Sequence, residues 1–206
     1  QAAYCSLLGR DRMGEFYADE FNDLGIVLEA NLVPGGTTGT CLVMITPDSE
    51  RTLNTTLAVN TEFSRANIDE ALIKQSEWIY IEGYKLTDDN GAEAVDMAVY
   101  YALKYDTNIA VSCSDGFIID VFGDRLRPLL AKSSLVLCNE REAMALAQVE
   151  HGLEAYKALS SAHPNVVVTM GSHGSKVSWN GRHCDIPAYV VEPVDATGAG
   201  DMYAGA

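Results

Sequence analysis

The stretch Leu135-Val136-Leu137-Cys138, followed at once by Asn139-Glu140-Arg141-Glu142, decides the fold class of this chain. Its first half is a short, continuous apolar run, which is typical of a strand buried on both faces of a sheet. Its second half is polar and opens a helical pattern over Glu140–Ala147. A buried strand that ends in polar residues and leads into a helix is the repeating unit of parallel α/β sheets.

Three further apolar runs of the same kind lie along the chain: Trp78–Ile81, Ile109–Ser112 and Val166–Thr169. Helical patterns separate or follow these runs: one capped by Ser64 and continuing through Leu72, then Asp88–Tyr105 and Gly152–Ser161. Strands that alternate with helices predict an α/β fold with a doubly wound, mostly parallel sheet flanked by helices.

The segment from Ile26 to Phe63 follows a different pattern. Thr40–Thr46 and Arg51–Thr55 are β-branched or alternating runs, with a turn signal at Pro47–Ser49, which predicts a β-hairpin in a small attached sheet. No linker separates it, so residues 1–206 are predicted to be a single domain, with the small sheet within 26–63 and the main part over 64–206. Gln1–Leu8 is interpreted as a helix that is cut at its start, so the chain is expected to be an internal fragment, truncated at both ends.

The composition excludes several classes of partner. Asp and Glu outnumber Lys and Arg by 29 to 14, a net charge of -15, which disfavours binding to nucleic acid or to an anionic membrane surface. No apolar run is long enough to cross a membrane. The five cysteines are scattered without metal-ligand spacing, and they are interpreted as small buried hydrophobes of a cytoplasmic protein.

The four predicted strands all end in polar or glycine residues, namely Glu82-Gly83, Ser114-Asp115, Asn139–Glu142 and Gly171–Gly174. Open α/β sheets bind their ligands at the carboxyl ends of the strands. The pattern therefore predicts a ligand site along that edge of the sheet.

A second polar motif, Asp195-Ala196-Thr197-Gly198-Ala199-Gly200-Asp201, comes immediately before a predicted helix. Small residues leave the backbone accessible, and the free N–H groups at a helix start bind anions. Asp201 would lie in the first turn, where a carboxylate beside a phosphate can orient and deprotonate an attacking hydroxyl. The alternative interpretation is an ordinary capped helix, with glycines for close packing.

These motifs, in this order, resemble the ribokinase-like (PfkB) family of carbohydrate and purine-nucleoside kinases. The resemblance implies that Asp201 is the catalytic base and that Gly198, Ala199 and Gly200 form an anion hole. It implies that Glu142 helps to place Mg²⁺ through water. It also implies that ATP is bound by five residues: Asn139, Thr169, Gly171, Gly174 and Thr197. Ala196 departs from the family pattern, at a position of backbone contact.

Simpler interpretations of two of these motifs stay open. Asn139–Glu142 is also the signature of a helix N-cap with acidic first-turn residues. Gly171–Gly174 is also a tight turn into a hairpin at Lys176–Trp179.

The family uses its attached β-sheet as a lid over the acceptor, and the resemblance places Thr38, Gly39, Thr40 and Asn54 in or near that lid. The same residues also suit an ordinary hairpin, in which threonine is chosen for its strand propensity. The pattern most resembles the adenosine-kinase branch. The implied cofactors are ATP and Mg²⁺, the implied substrate is a nucleoside or a sugar, and a homodimer through the lid is allowed. A fructokinase- or ribokinase-type sugar kinase and an inactive nucleotide-binding relative stay open as alternatives, as does the activity of the fragment itself.

Overall fold

The computed structural model describes residues 2–46, 51–191 and 197–206. It contains ten strands: β1 Ala3–Gly9, β2 Val27–Val33, β3 Thr40–Ile45, β4 Arg51–Thr56, β5 Trp78–Glu82, β6 Asn108–Ser112, β7 Leu135–Asn139, β8 Asn165–Thr169, β9 Ser175–Trp179 and β10 Arg182–Ile186. The α-helices are α1 Arg12–Asp23, α2 Glu70–Gln75, α3 Asp89–Tyr105, α4 Gly116–Leu130, α5 Glu140–Ala147, α6 Gly152–Ala162 and α7 Ala199–Gly205. The chain divides into two compact units, one formed by residues up to Asp69 with Asp88–Met97, the other by Glu70–Thr87 with Ala98–Ala206.

The larger unit is built on a six-stranded sheet in the order β10-β9-β8-β7-β6-β5. Strands β5 to β8 run parallel, and β9 and β10 form an antiparallel hairpin at one side. Valines and isoleucines of the central strands, among them Ile109, Val136 and Val166, are almost completely buried. The predicted α/β fold with a mostly parallel sheet is confirmed, and so are the four predicted strands, each to within one residue at either end.

Strand β5 differs from the prediction of burial on both faces. Ile81 is buried, whereas Trp78 and Tyr80 on the opposite face are 39% and 46% exposed. Within the described residues β5 pairs with a single neighbour, β6, so it lies at the border of this sheet. A border strand has fewer neighbours to cover it, which leaves one face exposed.

The helices at α3, α5 and α6 were predicted, but two others differ from the sequence pattern. Ser64 caps only a short 3₁₀ turn, Arg65–Asn67, and Ile68 then adopts an extended conformation before α2 begins at Glu70. The predicted continuous helix is wrong because this extended residue interrupts it. Helix α4 was not predicted, since Gly116, an internal glycine and Pro128 weaken its helical pattern.

The smaller unit contains a parallel pair, β1 and β2, instead of the helix predicted over Gln1–Leu8. Each residue of Ala3–Gly9 pairs in register with one of Val27–Val33. Leu7 packs in a buried apolar cluster with Phe63 and Ala94. Parallel pairing and burial therefore override the local helical pattern, because a two-strand register is invisible to a pattern within one segment.

The predicted hairpin is confirmed as β3 paired with β4 in antiparallel register. Its predicted turn at Pro47–Ser49 lies outside the described residues. The apolar side chains of β3 are exposed, Cys41 among them.

The burial predicted for the cysteines is therefore wrong for Cys41 and Cys184, which are exposed, and confirmed for Cys113 and Cys138. Cys5 is half-buried. No helix within the described ranges is both long and apolar enough to span a bilayer.

Candidate active site

The polar residues at the ends of β5 to β8 lie along one edge of the sheet, as the sequence predicted. The strand register places Glu82 beside Ser112 and Asn139 beside Thr169. Because these four strands are parallel and adjacent, their carboxyl ends form a continuous row. The candidate site in the larger unit lies along this row of strand ends.

Asn139 and Glu142 form a reciprocal capping box at the start of α5. The backbone N–H of Glu142 donates to Asn139 Oδ1 over 2.9 Å, and the backbone N–H of Asn139 donates to Glu142 Oε2 over 2.9 Å. The Asn139 side-chain amide also donates to Glu142 Oε1 over 2.6 Å. The helix-capping interpretation of this motif is thus directly observed, and it orients both Glu142 oxygens.

Glu142 is a buried acid, only 5% exposed. Burial raises the pKa of its carboxyl group, the hydrogen bond from the Asn139 backbone opposes that rise, and the nearby charge of Asp115 adds to it. A buried carboxylate beside a second carboxylate is electrostatically unfavourable on its own. A cation near this pair would relieve the repulsion. Glu142 can therefore attract a cation as well as cap α5.

Asp115 reaches the same region from the start of α4. Its side chain accepts a hydrogen bond from Phe117 N over 2.8 Å and caps the helix. The Tyr84 hydroxyl lies 3.5 Å from Asp115 Oδ2. Burial, followed by the charge of Asp115, raises the pKa of Tyr84 to about 12, so this phenol stays protonated at neutral pH.

Asp201 acts electrostatically on the end of β5. Burial raises the pKa of Glu82, and the negative charge of Asp201 is the next cause of that rise. The Tyr80 hydroxyl donates to Glu82 Oε1 over 3.3 Å, which partly offsets it. The negative charge of Asp201 therefore acts on the carboxyl end of β5.

The glycine-rich motif forms the start of α7, as predicted. Gly198 has φ 75° and precedes the helix, and its carbonyl accepts the first helical hydrogen bond, from Met202 N over 2.9 Å. Asp201 lies in the first turn. A Cβ added to Gly200 would meet nothing within 4 Å, so the backbone there is open. Asp195 and Ala196 lie outside the described residues, whereas Thr197 is exposed directly before Gly198.

One side-chain hydrogen bond connects α7 with the sheet. The hydroxyls of Tyr203 and Ser175 are 2.7 Å apart. Ser175 is buried at the first position of β9, where it pairs with Thr169 of β8. This contact brings the predicted residues Thr169 and Asp201 to the same end of the sheet.

The β8–β9 connection is the tight glycine turn that the sequence allowed. Gly171 and Gly174 have φ values of 56° and 89°, and Met170 N donates to Gly174 O over 2.8 Å. A Cβ on Gly174 would collide with the backbone of Ile186 and lie 2.8 Å from Ala188 N. Gly174 is therefore required for packing, and its role in nucleotide binding stays a prediction.

The residues predicted for the lid lie in the smaller unit. Thr38 is 3% exposed, and its hydroxyl donates to Asp11 Oδ1 over 2.7 Å and accepts from Gly9 N over 3.0 Å. Its hydrogen-bonding capacity is thus used inside the protein. Gly39 packs against the backbone carbonyl of Leu57.

Two further lid candidates are placed on the hairpin itself. Thr40 begins β3 and pairs with Thr56 at the far end of β4. Asn54 is in β4 and pairs with Leu42. Both residues are exposed.

Three polar residues of the site were not singled out from the sequence: Tyr80, Ser175 and Tyr203. Glu82 and Asp115 were named among the polar strand ends, and they and Tyr84 were assigned no individual role. A signal existed for Glu82 and Asp115, because each follows a predicted strand. The hydrogen bond between Tyr203 and Ser175 had no sequence signal, since it joins residues 28 positions apart through tertiary contact.

The carboxylate oxygens at this edge are suitable ligands for a hard cation that is bound through water. The carboxylates Glu82, Asp115, Glu142 and Asp201 offer oxygen, the ligand type that Mg²⁺ prefers. No group of three or more His, Cys, Asp or Glu among the residues that the structure describes forms a direct ligand set. Mg²⁺ commonly keeps several waters and uses one or two carboxylates. Binding of Mg²⁺ at Glu142 through water stays a prediction.

Comparison with known proteins gives the class that this fold and site define. Residues 1–206 match the model of the pfkB carbohydrate kinase family, and the chain belongs to that family. Ribokinase of Haemophilus influenzae is 27% identical over the whole chain. The crystal structure of adenosine kinase from Sinorhizobium meliloti superposes with a TM-score of 0.93, at 27% identity over 99% of the chain. A protein assigned as a ribokinase II from E. coli, in complex with ATP and Mg²⁺, has a TM-score of 0.89 at 22% identity over 98% of the chain and 67% of its own length.

The chain spans 66% of that ribokinase and 64% of that adenosine kinase, less than two thirds of either. The family and the fold inferred from the motifs are thus confirmed. The roles of the individual site residues stay predictions.

Proposed function

We propose that the protein containing this chain is an ATP-dependent kinase that transfers the γ-phosphoryl group of ATP to a primary hydroxyl of a nucleoside or a sugar. Membership of the pfkB carbohydrate kinase family supports the reaction class. The observation that carries the proposal is the position of Asp201, which lies in the first turn of a glycine-started helix and acts electrostatically on Glu82 at the carboxyl edge of the sheet.

In this proposal Asp201 orients the acceptor hydroxyl and accepts its proton as the oxygen attacks phosphorus. The backbone N–H groups of Gly198, Ala199 and Gly200 lie at the start of the helix, where N–H groups have no partner within the helix, so they can stabilise negative charge on the transferred group. The open space around Gly200 lets that group approach the backbone.

Asn139 and Glu142 hold the metal-facing side of the site. Mg²⁺, when bound with ATP, neutralises charge on the phosphates. Glu142 is oriented by its capping box and supplies a buried negative charge toward which hydrated Mg²⁺ is attracted. Thr169, Gly171, Gly174 and Thr197 are the proposed nucleotide contacts around the same edge. The ATP and Mg²⁺ bound by the E. coli relative support this choice of cofactors.

For the acceptor we propose a nucleoside such as adenosine, which the similarity to adenosine kinase supports. The second candidate is a sugar, and the 27% identity with a ribokinase favours it. The net charge of -15 suits a small-molecule acceptor better than a nucleic acid. A dimer through the lid and a cytoplasmic location stay predictions.

The test is Asp201→Asn in the complete natural protein, with Asp124→Asn on the exposed side of α4 as a matched charge control. We expect Asp201→Asn to keep ATP-Mg²⁺ binding, measured by calorimetry, and to lower kcat by about 10²- to 10⁴-fold, the range of general-base catalysis. Near-normal turnover in this variant contradicts the proposal. Wild-type protein that binds ATP but phosphorylates none of adenosine, inosine, ribose and fructose instead supports an inactive nucleotide-binding relative.

A further inference from the structure

The chain turns sharply directly after β6, at a residue in a strained conformation. Asp115 N donates to Cys113 O over 2.8 Å, and Ser114 between them has φ 68°. A hydrogen bond between residues two apart, around a positive φ, defines a γ-turn of the rare and strained kind. Such strain persists only where the surrounding structure maintains it, and it concentrates at binding and catalytic sites.

The structure on both sides of this turn maintains it. Cys113 is fully buried, and its N–H donates to Leu137 O of β7 over 3.0 Å. A Cβ added to Gly83, directly after β5, would lie 2.7 Å from Cys113 O, the carbonyl that closes the turn. The pairing with β7 and the close approach of the chain after β5 therefore fix the backbone that carries Asp115.

The side chain that this turn presents is an exposed carboxylate that can accept a further hydrogen bond. Asp115 Oδ1 accepts from Phe117 N over 2.8 Å as the cap of α4. Asp115 Oδ2 lies 3.5 Å from the Tyr84 hydroxyl, at the long limit of a hydrogen bond. Because each carboxylate oxygen can accept two hydrogen bonds, Oδ2 can accept a short one from a ligand.

Two exposed aromatic rings accompany this carboxylate. Tyr84 contacts Asp115 through its hydroxyl and Phe117 through its backbone N–H, and both residues are exposed. The Phe117 ring packs edge-on against Phe122, with centroids 5.6 Å apart, which fixes its orientation. Aromatic faces bind planar heterocycles by stacking, and a carboxylate accepts hydrogen bonds from their amino groups. A sugar has no planar face for such stacking.

We propose that Asp115 is a specificity-determining residue, which binds an amino group on a planar nitrogen heterocycle of the acceptor while Tyr84 and Phe117 contact the ring. Tyr84 and Asp115 follow the carboxyl ends of β5 and β6, which pair side by side, and ligands bind at this edge of an open sheet. The inference rests on the proposed function for the reaction at this edge. It selects a nucleoside over a simple sugar as the acceptor.

The test uses two pairs of nucleosides that differ by one amino group: adenosine with purine riboside, and guanosine with inosine. In the complete protein, kcat/KM for the amino-bearing member of at least one pair is expected to exceed that of its partner about 10- to 100-fold, as a hydrogen bond to a charged group allows. In Asp115→Ser the ratio is expected to fall to within about twofold, because serine still caps α4 but lacks the second oxygen.

Asp120→Ser, at an exposed position of α4, is the control and should keep the wild-type ratio. If Asp115→Ser folds poorly, Asp115→Asn keeps the cap and the size of the side chain, and loss of its charge should still lower the ratio severalfold. Phe117→Leu should weaken both members of the preferred pair alike, since stacking involves the ring and not the amino group.

Calorimetric binding of the same nucleosides separates this inference from the proposed function. An amino preference in affinity that disappears in Asp115→Ser, in a protein that phosphorylates none of them, supports the inference and contradicts the kinase proposal. Phosphorylation of ribose or fructose, with no nucleoside bound or phosphorylated, overturns the inference and leaves the kinase proposal intact. An amino preference that is equal in wild type and Asp115→Ser, or absent from both pairs in wild type, also overturns it.

Discussion

Asp11 and Thr38 are joined by two hydrogen bonds across 27 positions of sequence. Thr38 N donates to Asp11 Oδ2 over 2.8 Å, and the Thr38 hydroxyl donates to Asp11 Oδ1 over 2.7 Å. Asp11 also accepts from Gly14 N over 2.8 Å as the N-cap of α1. One carboxylate thus ties the start of α1 to the loop that leads into β3.

These hydrogen bonds predict an acid-sensitive contribution to stability. The bond from the Thr38 backbone is the largest cause that holds the pKa of Asp11 below its ordinary value, followed by the bond from Gly14. Because the folded-state pKa is lowered, the contribution is present above the ordinary pKa of an aspartate and is lost as the pH falls through the lowered value. Asp11→Asn is expected to lower the Tm at neutral pH and to flatten the acid side of its pH profile.

Thermal melts between neutral pH and about pH 2 measure this effect, with Asp19→Asn on the exposed part of α1 as the control for loss of charge. The same flattening in Asp19→Asn would assign the effect to net charge instead of to the Asp11 hydrogen bonds.

The two glycines of the β8–β9 turn are expected to differ when replaced. Gly171→Ala places a Cβ in open space at φ 56°, so it costs only the left-handed strain of about 1–2 kcal/mol. Gly174→Ala has φ 89° and ψ -135° and places its Cβ against the Ile186 backbone, so the free energy of unfolding should fall further. Urea denaturation of both variants checks the order, and equal losses would show that the backbone at Gly174 moves freely.

Glu142 is expected to govern the Mg²⁺ requirement. Glu142→Gln removes the buried negative charge but keeps the size of the side chain, so the Mg²⁺ concentration for half-maximal activity should rise severalfold. Glu154→Gln provides the control, because Glu154 occupies the first turn of α6 and is exposed. A Mg²⁺ titration of the complete protein measures the effect, and overlapping curves for wild type and Glu142→Gln would contradict the role of Glu142.

The cysteines are expected to react with alkylating reagents in two groups. Cys41 and Cys184 are exposed and should be labelled first in the native protein. Cys113 should be protected until the protein unfolds. It is fully buried, and its hydrogen bond to Cys138 together with burial raises the pKa of its thiol, so little of the reactive thiolate forms. Mass spectrometry after timed iodoacetamide treatment measures the order, and early labelling of Cys113 would contradict the burial of β6 and β7.

The sequence was most informative where structure depends on neighbours along the chain. The strand ending at Thr169 and the helix at Glu140–Ala147 were predicted closely, because burial on two faces and helical spacing are both visible within a short window. The capping box of Asn139 and Glu142 was likewise open to prediction, since both partners lie in one turn. The helix predicted at Gln1–Leu8 was wrong, because its partner strand begins only at Val27.

The sequence alone therefore determined the fold class, the family, and the row of polar residues at the strand ends, since local hydrophobic pattern and motif order are sufficient for these. Tertiary structure alone decided that Thr38 turns its hydroxyl inward to Asp11, that Asp201 influences Glu82, and that Tyr203 meets Ser175. Hydrogen bonds and charge interactions depend on distance in space, and burial strengthens them by removing water. The Asn139–Glu142 motif could be recognised along the chain, whereas the environment that raises the pKa of Glu142 exists only once Asp115 of α4 lies beside it.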